Sequence, residues 1–165
     1  MEKMRVLTRT NELTYELTEI VERVYKGVHL SYEEFYYLDY EVDEDSGMVN
    51  KEKKVKHYTK NQMDRNIKAL KNSYHIAKGS ASPTEIINYR KRFHISASTF
   101  SVILGFSKNT ISNIENEGIT SLSSGRLIKL CLDNRETMIT YLKLCDTIDE
   151  EKKEELSKRL LEEIY

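Results

Sequence analysis

Lys108, Asn109, Ser112 and Asn113 form the densest run of side chains in this chain that could read another molecule's hydrogen-bonding pattern. An asparagine amide can pair bidentately with adenine, and a lysine ammonium can donate to the acceptor atoms of guanine. In a helix, positions three and four apart are neighbours, so these four residues would share one face. A second polar group precedes them. Ser96, Ser98 and Thr99 could offer hydroxyls and helix N-terminal amides to phosphates, with Thr110 and Arg126 as further phosphate donors. Each has a plainer role open to it. Ser96 and Ser107 stand where helix caps belong. Lys108 could be a solvated first-turn lysine, although a cation there opposes the helix dipole. Asn109 and Asn113 are weak helix formers, and their presence on an exposed face asks for a reason.

The elements that must position these residues are legible around them. Ser82-Pro83-Thr84-Glu85 is a helix start: a hydroxyl cap, a proline at the first position and a carboxylate three residues after the cap. Ile86, Tyr89 and Phe93 follow at helical spacing, interleaved with Arg90, Lys91 and Arg92. Ile95-Ser96 starts a second helix carrying Phe100, Ile103 and Leu104, which Gly105 breaks. Phe106-Ser107 opens a third, Lys108 to Asn116, with Ile111 and Ile114 facing inward. Glu115 is expected to pair with a base of its own domain, such as Arg90. Two short helices joined by a glycine turn, the second with a small polar N-terminal face, make the helix-turn-helix geometry that fits a DNA major groove. A fourth helix, Ser123 to Leu132, presents Leu127, Ile128, Leu130 and Cys131. A fifth, Arg135 to Cys145, presents Met138, Ile139, Leu142 and Cys145. From Asp149 a charged helix carries Leu156, Leu160, Leu161 and Ile164 on one side, a stripe expected to dock on its own protein or a twin subunit.

The first half reads differently. Tyr15, Leu17 and Glu19 alternate with polar neighbours, Val24-Tyr25 leads to a turn at Lys26-Gly27, and Val28 to Tyr32 resumes the pattern. Phe35 to Leu38 is another aromatic strand-type run, and Asp43 to Asn50 a loop or hairpin tip. A helix beginning at Thr59 or Asn61 has Met63, Ile67, Leu70, Tyr74 and Ile76 as its apolar stripe. The tyrosines at 32, 36, 37 and 40 form either a binding surface or the two faces of a small sheet. The basic run Lys51 to Lys56 is expected to be a solvated loop, with a second phosphate-binding element as its alternative. Gly79 to Ser82 is the hinge. The fold class is therefore α+β. Residues 1–80 form a small antiparallel-sheet-plus-helix domain, 81–148 an all-α five-helix domain, and 149–165 a C-terminal amphipathic helix.

Composition narrows the classes further. At 165 residues and a net charge of −1 the chain does not suit indiscriminate coating of nucleic acid. Charge is nevertheless segregated, with seven acids and no base over Glu33–Asp45 and nine bases against two acids over Lys51–Lys78. A mildly basic module inside a neutral protein suits a binder that uses groove contacts as well as phosphates. Cys131 and Cys145 fall at apolar helical positions and are expected to be buried, reduced thiols. The four histidines share no ligand spacing, so no metal and no cofactor is expected. No apolar run approaches the roughly 18 residues of a membrane span, and no secretory pattern opens the chain; the expected location is cytoplasmic. No nucleophile–base pair, carboxylate dyad or glycine-rich phosphate loop suggests an enzyme.

Glu85-Ile86 with Arg90, Ile95-Ser96, Phe100, Leu104-Gly105-Phe106-Ser107, Thr110-Ile111-Ser112 and Glu115-Asn116 resemble the helix-turn-helix family of lambda-type repressors and Xre regulators. The likeness is greatest to MqsA-type antitoxins, which place a small β-rich domain before such a C-terminal module. It spans Ser82 to Thr147, with a fainter likeness in the helix from Asn66 to Ser82. Three departures stand out. The zinc-binding cysteine pairs common in the N-terminal domain of that type are missing here. Ala97 replaces a frequent glutamine, and Glu117 intervenes before the glycine that usually follows Glu-Asn. The resemblance implies a transcription regulator, an autorepressor of antitoxin or phage type within a toxin–antitoxin system or prophage. It would bind an inverted-repeat operator as a homodimer, joined through helices four and five or the C-terminal helix. The N-terminal domain is a candidate site for a toxin or other protein partner. The alternative is a protein-binding antitoxin or inhibitor whose helix-turn-helix serves mainly for dimerisation.

Overall fold

The structure is a computed structural model that describes residues 4–162. The described backbone is mixed α+β, with two small antiparallel sheets and seven helices. It gathers into two compact units that divide between Ser73 and Tyr74. None of its helices is long and apolar enough to cross a membrane. The divide falls inside the first helix, a few residues before the Gly79–Ser82 segment that composition marks as the hinge.

In the first unit, β1 (Arg5–Leu7) and β2 (Leu13–Tyr15) pair as one sheet. β3 (Leu17–Tyr25), β4 (Val28–Val42) and β5 (Val49–His57) make the other, in the order β3-β4-β5. Lys26 and Gly27 both have positive φ, 48° and 77°, the two-residue type I′ turn whose twist suits a hairpin. The expected turn is therefore present, and β4 runs through both aromatic segments as one strand. Alternation places Tyr32, Tyr36 and Tyr40 on one face of β4 and Tyr37 on the other.

Two expectations fail in this unit. Lys51–Lys56 is not a loop but lies in β5, with Lys56 opposite Leu38 and Lys54 opposite Tyr40. Its lysines lie over aromatic rings of β4, Lys54 Nζ 5.3 Å from the Tyr40 centroid and Lys56 Nζ 5.0 Å from that of Tyr36. Ladder pairing and these contacts overcome the low strand propensity of lysine.

The second failure concerns α1 (Lys60–Ala77). Met63, Ile67 and Ile76 of its expected apolar stripe are exposed, and the buried residues are Gln62 and Asn66. The physical reason is the end of β5 at His57, which leaves the Phe35 backbone without a strand partner. Asn66 takes that place: its Oδ1 accepts from the Phe35 N–H at 2.8 Å and its Nδ2 donates to the Phe35 carbonyl at 2.9 Å. An apolar side chain would leave both groups unsatisfied. Gln62 and Thr59 form a reciprocal capping box, each accepting from the other's N–H at 3.0 Å. Gln62 and Arg65 also donate to Glu16, and the Arg65 hydrogen bond is the chief reason its carboxyl stays below the usual range.

Asp39 is buried near the C-terminal end of β4 and fastens the β1–β2 connection to it. It accepts from the Thr10 N–H and hydroxyl and from the Tyr40 N–H. Burial pushes its pKa up, but the Tyr40 and Thr10 hydrogen bonds and the nearby His57 outweigh that and leave it lowered. A carboxyl with a lowered folded-state pKa adds stability that is present above its unfolded value, about 3.9. That stability is lost as pH falls through the folded value. Urea midpoints taken between neutral pH and pH ~3 should therefore fall on the acid side, and Asp39→Asn should flatten that limb. An unchanged acid limb in the variant would remove Asp39 from the account.

In the second unit six helices follow: α2 (Pro83–Phe93), α3 (Ala97–Ile103), α4 (Thr110–Glu117), α5 (Leu122–Asp133), α6 (Arg135–Leu144) and α7 (Glu150–Leu161). Ser82, Ser96, Ser121, Asn134 and Asp149 cap α2, α3, α5, α6 and α7 through their side chains. One core unites them, including Ile86, Phe93, Phe100, Ile103, Leu104, Ile111, Ile114, Ile128, Met138 and Leu142. Burying each large apolar side chain contributes roughly 1.5–3 kcal/mol. Leu156 and Leu160 of α7 join this core, whereas Leu161 is exposed and Ile164 lies outside the described residues. Both cysteines are buried and free, and burial pushes the Cys131 thiol up to about 11.

Candidate nucleic-acid interface

α3 and α4 meet through a tight connection. Leu104 closes α3, Gly105 takes φ 84°, and the Phe106 N–H returns to the Ser101 carbonyl at 2.9 Å. No acidic residue occurs from Ser96 to Ile114. α4 starts later than its sequence suggests, at Thr110 rather than Lys108. Ser107–Thr110 forms a turn first, with the Thr110 N–H on the Ser107 carbonyl at 3.0 Å and the two hydroxyls 2.8 Å apart. Lys108 and Asn109 therefore stand at the tip before the helix, not in its first turn.

At that tip Lys108, Asn109 and Asn113 are exposed. Asn109 occupies the N-cap position and is exposed, and its side chain makes no capping hydrogen bond. The opposite face of α4 is sealed: Ile111 is 0% and Ile114 3% exposed. Ser112 is half-buried and gives its proton to the Asn109 carbonyl at 3.1 Å. Thr110 is held by Ser107.

The hydroxyls at the start of α3 are locally engaged as well. Ser96 Oγ accepts from the Thr99 N–H at 3.1 Å and donates to Thr99 Oγ1 at 2.8 Å, with Ser98 Oγ 3.3 Å away. Ser96 thus caps α3, while Ser98 and Thr99 lie beside it, partly exposed. Arg126 is in α5, away from this cluster in the chain. Its Nε donates to the Lys78 carbonyl at 2.9 Å, anchoring the segment before α2.

Two interactions set the position of α4, and one of them was legible beforehand. Arg90 grips both Glu115 oxygens at 2.6 and 3.0 Å and donates to the Ile95 carbonyl at 3.1 Å. This planar double contact joins α2, the α2–α3 connection and α4. The other interaction escaped sequence reasoning. Ser101, fully buried, donates to the Ala97 carbonyl at 2.8 Å and accepts from the Ile111 N–H at 3.0 Å. It satisfies one of the N-terminal amides of α4 from the neighbouring helix. Its signal was a serine sitting among the apolar positions of α3. Gly125 also went unread: a Cβ there would lie 2.0 Å from Ser80 Oγ. A glycine inside a helical pattern was the available clue.

The arrangement offers an exposed lysine, two exposed asparagines and partly exposed hydroxyls, on two helices with a common buried core and on the turn between them. Comparison with protein-family models, with curated proteins and with solved structures finds no match to this chain.

Proposed function

We propose that α2–α6 constitute a helix-turn-helix module of the Xre and lambda-repressor type, and that the protein is a sequence-specific DNA-binding regulator. In this reading α3 and α4 are the paired helices and the tip of α4 enters the major groove. Lys108 and Asn109 read base edges, with Asn113 one turn further on. Ser96, Ser98, Thr99 and Thr110 lie near phosphates, and Ser112 stabilises the tip from within. Arg126 reaches a phosphate only through its terminal nitrogens, its Nε being engaged. The regulator acts as a homodimer on an inverted repeat upstream of its own gene.

The observation that carries this reading is the α4 tip. Lys108, Asn109 and Asn113 are solvent-facing, in a stretch with no acidic residue from Ser96 to Ile114, at the start of a helix whose other face is sealed in the core. The test is a gel shift with the gene's upstream DNA against random DNA at physiological salt. Specific retardation is expected, and Asn109→Ala and Lys108→Ala should each weaken it by about 1–3 kcal/mol. Wild-type binding no stronger to the upstream DNA than to random DNA would overturn the proposal.

A further inference from the structure

The two free edges of the three-stranded sheet are unlike. β5 is guarded by Lys51, Glu52, Lys53, Lys54 and Lys56, and its pairing with β4 shifts register between Tyr40 and Glu41. Charged side chains and irregularities of this kind keep an edge from pairing with another chain. β3 lacks the irregularity, and its three charges, Glu19, Glu22 and Arg23, are of both signs and not a run of lysines. It runs nine residues in unbroken register, from Leu17 opposite Tyr36 to Tyr25 opposite Val28. It holds no lysine and no proline, and Ile20 and Val24 are 69% and 63% exposed.

Which backbone groups face outward follows from the ladder. The type I′ turn makes Tyr25 and Val28 a hydrogen-bonded pair, so such pairs recur at Arg23, Val21, Glu19 and Leu17. Thr18, Ile20, Glu22 and Val24 then point their N–H and C=O groups away from β4. Phe35 supports this assignment, because its N–H and carbonyl are given to Asn66 rather than to Thr18 opposite. Among the described residues no backbone group takes up the outward groups of β3. The Glu22 carbonyl accepts only from the exposed Arg23 side chain, at 3.0 Å.

We propose that β3 pairs antiparallel with β3 of a second copy, about a two-fold axis at Val21, joining the two sheets into one. The register is singled out by charge. With Val21 opposite itself, Glu19 faces the second copy's arginine at 23, Leu17 faces its tyrosine at 25, and Ile20 faces its glutamate at 22. A centre at Glu22 would instead oppose two glutamates, and one at Ile20 would set valine against glutamate and Arg23 against leucine, with no acid–base pair formed. In the favoured register the outward groups of residues 18, 20, 22 and 24 all find partners. Arg23 and Glu34 are 2.9 Å apart within one copy, and Lys56 is paired with Glu19. Across the axis these become an alternating row of acid and base. The helices expected from the sequence to join two copies offer no comparable surface: among the described residues the exposed large apolar side chains of α5, α6 and α7 are Leu130, Leu144 and Leu161, one on each. The dimer supplies the two-fold symmetry that the proposed DNA reading uses, but its existence does not depend on DNA.

Sedimentation equilibrium of the full chain without DNA should show a dimer. Ile20→Glu, at an exposed position, should return it to a monomer by placing glutamates opposite Glu22 of each copy, with its circular dichroism unchanged. Val21→Cys provides a register test, since a non-hydrogen-bonded pair brings the two Cα atoms to about 4.5 Å, within disulfide reach. Under mild oxidation it should give a covalent dimer on a non-reducing gel, while wild type and Ile20→Cys should not. A monomeric wild type would overturn the proposal. So would a dimer that persists in Ile20→Glu, or equal cross-linking of Val21→Cys and Ile20→Cys. Because no readout involves DNA, failure of the regulator reading leaves these outcomes distinct.

Discussion

Glu115→Ala should lower the stability of the α2–α7 unit by about 3 kcal/mol, the lower end of what removing one partner of a buried ion pair costs. The lower end applies because the Arg90 side chain is 20% exposed, against 8% for Glu115. In the variant the Arg90 guanidinium keeps the Ile95 carbonyl but loses both carboxylate contacts, and its remaining donors face a site that water reaches only in part. Replacing both members by apolar residues, Arg90→Met with Glu115→Leu, should cost much less than either single change, since neither charge is then left alone. Urea unfolding followed by helical circular dichroism measures both. A loss in Glu115→Ala below about 1 kcal/mol, the range of exposed pairs, would mean that this contact does not hold α4. Added salt should do little to the wild-type difference, because a partly buried pair is screened less than a surface one.

Gly125→Ala is the second large effect. The new methyl carbon would lie 2.0 Å from Ser80 Oγ, 2.7 Å from Ser80 Cβ and 3.1 Å from Ile119 Cγ2. Ser80 cannot simply swing away. It is buried, its hydroxyl donates to the Ala81 carbonyl, and the Ala81 N–H is fixed to the Gly125 carbonyl at 3.0 Å. Overpacking at such a site should destabilise the unit by about 1–3 kcal/mol, even though alanine is the better helix former. Ser80→Gly removes both close atoms, so the double variant should recover most of the loss. An additive double variant, with no recovery, would show that the close approach of Ser80 to α5 is not the cause.

Much of the second unit could be read from residues alone. Helix starts at Ser82, Ser96 and Asp149 depend on a side chain reaching an N–H three residues on, and the core positions of α2–α6 repeat at helical spacing. Those relations act within a turn or two of chain, so a linear sequence contains them. The hairpin at Lys26-Gly27 is of the same kind. The pairing of Arg90 with Glu115 was also anticipated, as an acid of α4 meeting a base of its own domain. The position of Lys108 and Asn109 was displaced because Ser107 and Thr110 bond to each other and delay the helix by one short turn.

Other features depend on what lies opposite in space. Periodicity identified Met63 and Ile67 as one stripe of α1, but it could not reveal that β5 stops short and leaves the Phe35 backbone for Asn66, 31 residues away. The lysines of β5 look like a loop until the tyrosines of β4 are set beneath them. Ser101 is an ordinary helical serine until Ile111 brings it an amide. The outward groups of β3 become an open edge only once the strand order is known. The residue pattern thus determined the helices, the hairpin and the polar tip of α4, because capping and amphipathic spacing are short-range. Tertiary structure alone decided which of those faces are satisfied, since a buried N–H or carbonyl takes its partner from whichever segment folds against it.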